Sequence, residues 1–163
     1  MGNIGDFPSF SAPQGKFVFQ GATELSLDAK GRLAVPTRHR DALNSGGGVV
    51  LTAHPDGCAL LYPLLAWEPI RSRVQALPSF NEQSRGWQRL LIGFAEELPL
   101  DAQGRILISP ALRKFAALKK DVMLVGQGSH FEIWDVPAWE EKLSRAMSLA
   151  STTPPPGTDN FSL

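Results

Sequence analysis

The chain has 163 residues, 43% apolar and 20% charged, and its 16 basic and 16 acidic residues cancel. This composition supports one compact unit or two small ones, and the neutral balance argues against a protein held on nucleic acid by bulk positive charge, though not against one with a local basic face. Cys58 is the only cysteine, which rules out an intramolecular disulfide and a thiolate zinc cluster. No apolar run approaches the roughly 18–20 residues of a membrane span, and the first residues lack the pattern of a secretory signal. A reduced, cytoplasmic setting is expected.

In chain order, residues 1–17 are rich in Gly, Pro and Ser without periodicity and are expected to be a disordered extension. A short strand, ATELSL (22–27), then enters a turn at Asp28-Ala29-Lys30-Gly31. Asp can hydrogen-bond a turn backbone there, and Gly can take positive φ. An apolar strand, RLAV (32–35), leaves the turn, and Pro36 is placed in the first turn of the helix TRHRDALNS (37–45). Two strands joined by a turn follow in VVLTAHPDGCALLYP (49–63), then an amphipathic helix, LLAWEPIRSRVQAL (64–77), with Pro69 expected in its opening turn. A linking helix, EQSRGWQRLLIGF, covers 82–94.

The same order then recurs: a strand (AEELPL), a turn at Asp101-Ala102-Gln103-Gly104, a strand (RILI), a helix with Pro110 in its first turn, two strands (DVMLVGQGSHFEIWD) and a helix (PAWEEKLSRAMSLA). ELSLDAKGRLAV from Glu24 and ELPLDAQGRILI from Glu97 match without a gap at Glu, Leu, Leu, Asp, Ala, Gly and Arg. At this offset Arg40 falls on Arg113, Val49 on Val122 and Leu51 on Leu124, ALLYP faces EIWDV, and the AW pairs at 66–67 and 138–139 answer each other with a one-residue slip. The chain is a duplication. One such unit has too little area to bury its apolar face alone, so the two are expected to pack as a pseudo-two-fold pair. A small closed barrel with strands from both copies would also remove the sheet edges. The tail STTPPPGTDNFSL (151–163) is expected to be extended and disordered.

FQGATELSLDAKGRLAVPTRHRDAL, LTAHPDGCALLYP, RGWQRLLIG, DAQGRILISPALRKFAAL and GQGSHFEIWD together closely resemble the MraZ family of bacterial transcriptional regulators, with both copies of its D-x-x-x-R phrase. The resemblance implies a fold that is mainly β with short helices: an AbrB-like double-split (swapped-hairpin) β-barrel from two tandem repeats, with peripheral helices. The repeats would span 22–65 and 94–137, joined by linking helices over 66–93, with a C-terminal helix over 138–150. It further implies a homo-oligomeric ring that binds double-stranded DNA at direct repeats upstream of the division and cell-wall operon, usually as a repressor, and so a nucleoid-associated location. Family members generally begin near the F-x-G phrase, here Phe19-Gln20-Gly21. Translation is therefore expected to start naturally at Val18, with residues 1–17 an upstream extension.

Asp28, Gly31, Asp101 and Gly104 are read as structural turn residues. Arg32 and Arg105 leave the two turns and are the candidates for base or phosphate contact, oriented by their aspartates. Lys30 at the first tip is the natural phosphate contact, Gln103 is its counterpart, and Arg38 and Arg40 extend the first basic group. A second group, Arg71, Arg73, Arg85 and Arg89, reads as a solvated face or an intersubunit pairing surface. His54, Cys58 and His130 lack the spacing of a ligand set, so neither metal nor cofactor is expected. Trp67, Trp87, Trp134 and Trp139 suit core or interface positions.

Two other classes fit less well. An enzyme using Asp28 and Asp101 as a proton-sharing pair would have an arginine keeping each carboxylate ionised, and there is no nucleophile–base pair or phosphate loop. An antitoxin-like interaction barrel would need a longer tail with apolar anchors. The first copy, with Lys30 and Arg38 where the second has Gln103 and Ala111, is the one expected to face DNA.

Overall fold

The computed structural model describes residues 18–152 and 154–162. The extension expected over 1–17 lies outside the described residues. In chain order the elements are β1 (Ala22–Ser26), β2 (Arg32–Ala34), α1 (Thr37–Leu43), β3 (Val49–Ala53), β4 (Ala59–Pro63), α2 (Leu64–Gln75) and α3 (Glu82–Trp87). A π-helical segment, Gln88–Ile92, continues α3, and β5 (Glu96–Leu98), β6 (Arg105–Leu107), α4 (Pro110–Phe115), β7 (Asp121–Gly126), β8 (Phe131–Asp135) and α5 (Val136–Ala150) follow.

The fold is mostly antiparallel β with short helices, built from two copies as anticipated. Six strands form one sheet in the order β1-β7-β8-β4-β3-β5, and β2 and β6 form a separate ribbon. Each edge strand pairs with the other copy: β1 with β7, and β5 with β3. This is a swapped arrangement, and among the described residues its hydrogen bonding forms a sheet and a ribbon rather than one closed ring. Instead β1 runs through the first turn into β2 and β5 through the second into β6, so the ribbon bridges the two ends of the sheet. Backbone bonds from Val35 N to Gly104 O (2.9 Å) and from Ile108 N to Gly31 O (3.1 Å) tie each ribbon end to the other copy's turn.

The pseudo-two-fold axis passes through two strand pairs. Leu33 lies opposite its equivalent, Ile106, in the ribbon, and Leu60 lies opposite Glu132 in the sheet. The second pair corrects the sequence alignment. The turn between β7 and β8 is one residue shorter than that between β3 and β4, so the slip enters in that hairpin. ALLYP is therefore equivalent to FEIWD, and Cys58 to His130.

Alternation along the strands creates two cores. One face carries Val49, Leu51, Leu61, Leu124, Phe131 and Ile133, which pack with Leu33 and Ile106 of the ribbon, Leu43 of α1 and Leu112 of α4. The opposite face carries Val50, Leu60, Tyr62 and Trp134, covered by Trp67 and Val74 of α2 and Leu91 of the π segment. The Thr52 hydroxyl, fully buried, donates to Leu91 O at 2.6 Å and docks that segment. A buried hydroxyl without such a partner would be costly.

Two prolines sit differently from expectation. Pro69 is the sixth residue of α2, which begins at Leu64. It lies in the second turn, where its missing N–H leaves the Leu65 carbonyl without an i+4 donor. Pro36 is the N-cap of α1 (ψ 138°), whereas Pro110 does occupy the first turn of α4, behind a Ser109 side chain that accepts from Leu112 N.

Candidate nucleic-acid interface

The two repeated phrases fold into the same object. In the first, Gly31 N donates to Asp28 O at 3.0 Å, and Gly31 takes φ +84°. The Asp28 carboxylate accepts from Lys30 N at 3.0 Å, Arg32 N at 2.8 Å and Arg32 Nε at 2.6 Å. In the second, Gly104 N donates to Asp101 O at 2.9 Å with φ +72°. Asp101 accepts from Gln103 N (2.9 Å), Arg105 N and Arg105 Nε (both 2.8 Å). The backbone N–H of Arg32 holds the Asp28 carboxyl below the usual carboxylate range, helped by the Arg32 guanidinium and Lys30 N. Arg105 and Gln103 do the same for Asp101. Each carboxylate thus has its own cation, an arrangement opposed to proton sharing between the two.

Because ribbon side chains alternate and Leu33 and Ile106 point into the core, Arg32, Ala34, Arg105 and Leu107 share the outer face. Arg32 lies opposite Leu107 and Arg105 opposite Ala34, so the arginines are diagonal neighbours across the pseudo-axis. Their Nε atoms are committed to aspartate, which fixes each guanidinium plane. The terminal nitrogens of Arg32 have no partner among the described residues, and Arg105 spends one on the Gln103 side chain at 3.3 Å. A two-stranded ribbon with a pair of oriented arginines suits the width of a DNA major groove.

The remaining candidates separate. Lys30 stands exposed at the first tip without an ion pair among the described residues. Arg38 is engaged elsewhere, donating to Thr23 Oγ1 on β1 and to His39 Nε2, both at 3.1 Å. Burial, with Arg38 alongside, lowers the pKa of His39. Arg40 is taken up by the fold: its Nε donates to Val35 O at 2.8 Å, and its guanidinium lies beneath the second turn, where a Cβ on Gly104 would collide with it. Arg113 mirrors it, donating to Ile108 O at 3.0 Å beneath the first turn, where a Cβ on Gly31 would come within 2.6 Å of the guanidinium. Each copy therefore braces the other's turn, a role that reading charges along the chain had not separated from ligand contact. The gapless match of Arg40 to Arg113 was its one signal in the sequence.

In the second basic group, Arg71 pairs with Glu68 at 2.7 Å and Arg85 donates to Ser79 O. His130 accepts or donates at 2.9 Å with Ser129 Oγ and stacks on Tyr62, their centroids 4.5 Å apart. Burial lowers its pKa and raises those of Tyr62 and Cys58. Among the described residues no three His, Cys, Asp or Glu side chains converge as a metal site, and no helix is long and apolar enough to cross a membrane. Trp67 and Trp134 are buried, Trp139 packs against the second core, and Trp87 is half exposed.

Fold and site together define a duplicated, swapped-strand β scaffold that presents a paired-arginine ribbon between two aspartate-locked turns. Two stretches of the chain, 18–90 and 91–158, match the family described as "MraZ protein, putative antitoxin-like". A protein of Methylobacillus flagellatus named "Transcriptional regulator MraZ" is 59% identical over 148 residues, 90% of this chain and all of the relative. Proteins of the same name from an Azoarcus species and from Nitrosomonas europaea are 51% and 47% identical, with the same coverage. The chain belongs to the MraZ family, whose members named here are transcriptional regulators.

Proposed function

We propose that this chain is a sequence-specific DNA-binding transcriptional regulator, a repressor of the bacterial division and cell-wall operon that binds direct repeats upstream of its own operon as a homo-oligomeric ring. The carrying observation is the outer face of the β2–β6 ribbon, where Arg32 and Arg105 lie diagonally across the pseudo-axis with their planes fixed by Asp28 and Asp101. Preset guanidinium planes favour bidentate contact with guanine, worth about 1–3 kcal/mol of discrimination each. Lys30 contacts phosphate, and Gln103 and Arg38 flank the ribbon. Arg40 completes the basic set from beneath the second turn, which its guanidinium also braces.

One chain offers few phosphate contacts, and sequence-independent affinity alone is typically about 10⁻⁴–10⁻⁶ M at physiological salt. Several chains engaging successive boxes would add roughly 10²–10⁴ in avidity. Exposed apolar side chains at Leu65, Trp87, Leu143 and Met147 provide surface for such assembly. This activity places the protein in the cytoplasm, on the nucleoid.

The test is a gel shift on the chain's own upstream region, paired with a mass measurement in solution. Arg32→Ala is expected to abolish specific binding with the oligomer intact, and Arg105→Ala to weaken it. Wild-type binding indifferent to the number and spacing of repeats would refute the reading, and loss of binding only through loss of assembly would make Arg32 structural.

A further inference from the structure

The two tips have unequal surroundings, and the difference comes from the opposite copy. After α4 the chain closes with a pair of backbone bonds, Ala117 N to Lys114 O (3.2 Å) and Leu118 N to Arg113 O (2.9 Å), with Ala117 at φ 50° and Leu118 buried. This leaves Lys119 and Lys120 exposed beside the first tip. They line an open groove of about 610 Å³ with Asp28, Gly31 and Arg113, over Leu118. Lys30 rises from the same turn. In the duplicated frame Lys119 and Lys120 correspond to Gly46 and Gly47, and Lys30 to Gln103. The second tip has only Arg40 and Arg105 as its matching cations.

The acids nearby are not ion-paired with this cluster among the described residues. Asp28, the only acid lining the groove among the described residues, is committed to Arg32. Lys119 and Lys120 also border a second depression, with Glu24, Asp121 and Asp135, and none of these three acids is within ion-pair distance of either lysine. There Asp121 accepts from Ser26 Oγ, and Asp135 accepts from the backbone N of Lys119. None of Lys30, Arg113, Lys119 and Lys120 makes an ion pair among the described residues. Lys119 and Lys120 on the groove, Lys30 on the adjoining tip and the charge of the Arg113 brace behind them, against one already paired carboxylate, make a site for a polyanion's backbone.

We propose that this groove holds backbone phosphates of double-stranded DNA, with Lys119 and Lys120 of the second copy anchoring the strand that the first copy's tip reads. The inference rests on the DNA-binding reading and adds that the two tips do different work: the first is clamped to the backbone, and the second reads without a clamp. A phosphate contact carries no sequence information, so Lys119 and Lys120 set affinity and register while Arg32 and Arg105 set sequence preference.

The experiment measures equilibrium binding of the full chain to its own upstream duplex and to a scrambled duplex between about 50 and 200 mM salt, the range over which phosphate contacts are resolved. The variants are Lys119→Ala with Lys120→Ala, Lys119→Arg with Lys120→Arg, and Lys114→Ala as a like-charge control outside the groove. The double alanine variant is expected to bind both duplexes at least about tenfold more weakly and to flatten the salt slope by about 0.9 per lost contact. The preference between duplexes should stay unchanged, and the arginine pair should keep the wild-type slope. An unchanged slope in a double alanine variant with wild-type circular dichroism overturns the groove while the regulator reading stands. A lost preference with an unchanged slope also overturns it, since the lysines would then act on sequence. If the wild type itself does not distinguish the two duplexes, the DNA-binding reading falls first, and this inference with it.

Discussion

The two halves of the molecule agree inside and differ outside. Both turns use an aspartate accepting three N–H groups, a glycine at positive φ and an arginine reaching in from the opposite copy. The loops after the first helix of each copy share neither charge nor geometry: Asn44 to Gly48 carries three consecutive glycines, whereas Ala117 to Asp121 carries two lysines. Duplication preserved what keeps the turns folded. Divergence accumulated where a side chain meets solvent and, by our proposal, DNA.

The strongest way to probe the shared part is the axis pair. Leu33→Ala and Ile106→Ala each empty a fully buried ribbon site and should each cost about 2–5 kcal/mol by urea unfolding. Costs differing by more than the range of such truncations would mean that the core is less symmetric than the strand pairing. Next come the turns. Gly31→Ala and Gly104→Ala force a Cβ against Arg113 and Arg40 at unfavourable φ and should each lose about 1–3 kcal/mol. On the proposed reading the first should also impair DNA binding more, because its turn carries Lys30 and borders the lysine groove.

Acid titration offers a further test. Asp28 and Asp101 have lowered pKa values in the fold, so they bind fewer protons folded than unfolded. Their stabilising effect is complete above the unfolded carboxylate value, about 3.9, and disappears as pH falls through the lower folded values. Asp28→Asn and Asp101→Asn should each flatten the acid limb of a stability–pH curve by a similar amount, and carboxyl NMR shifts should place both groups below the ordinary range. The smallest effect concerns the loops. Ala117→Gly relieves a left-handed residue and should raise stability by about 0.5–1 kcal/mol, whereas the first copy already has Gly47 in that conformation.

Most of the chain's architecture was legible because it is local. The turn chemistry of Asp28 and Gly31, the alternation in VVLTA and the pattern of the closing helices depend on residues a few positions apart. Repetition made even the pseudo-symmetry readable. What stayed hidden depends on distance. Nothing local says that β1 pairs with β7 rather than with a strand of its own copy. Arg40 looked like one more charge after Lys30, Arg32 and Arg38 until the fold set it beneath Gly104. Lys119 and Lys120 are hidden by distance too: they lie 88 or more residues from the tip they border, at positions that are glycines in the first copy. Pro69 shows the limit for boundaries, since α2 tolerates a proline one turn deeper than its sequence suggested.

The reciprocal arginine braces and the shared ribbon make one covalent chain out of what two identical chains could have built. A true homodimer with one binding surface across its two-fold axis is bound to present the same edge to both strands of a duplex, and is therefore matched to palindromes. Fusion removes that obligation. On our proposal, Lys119 and Lys120 on one side alone give the unit a head and a tail along a duplex, the polarity that boxes all facing the same way would require.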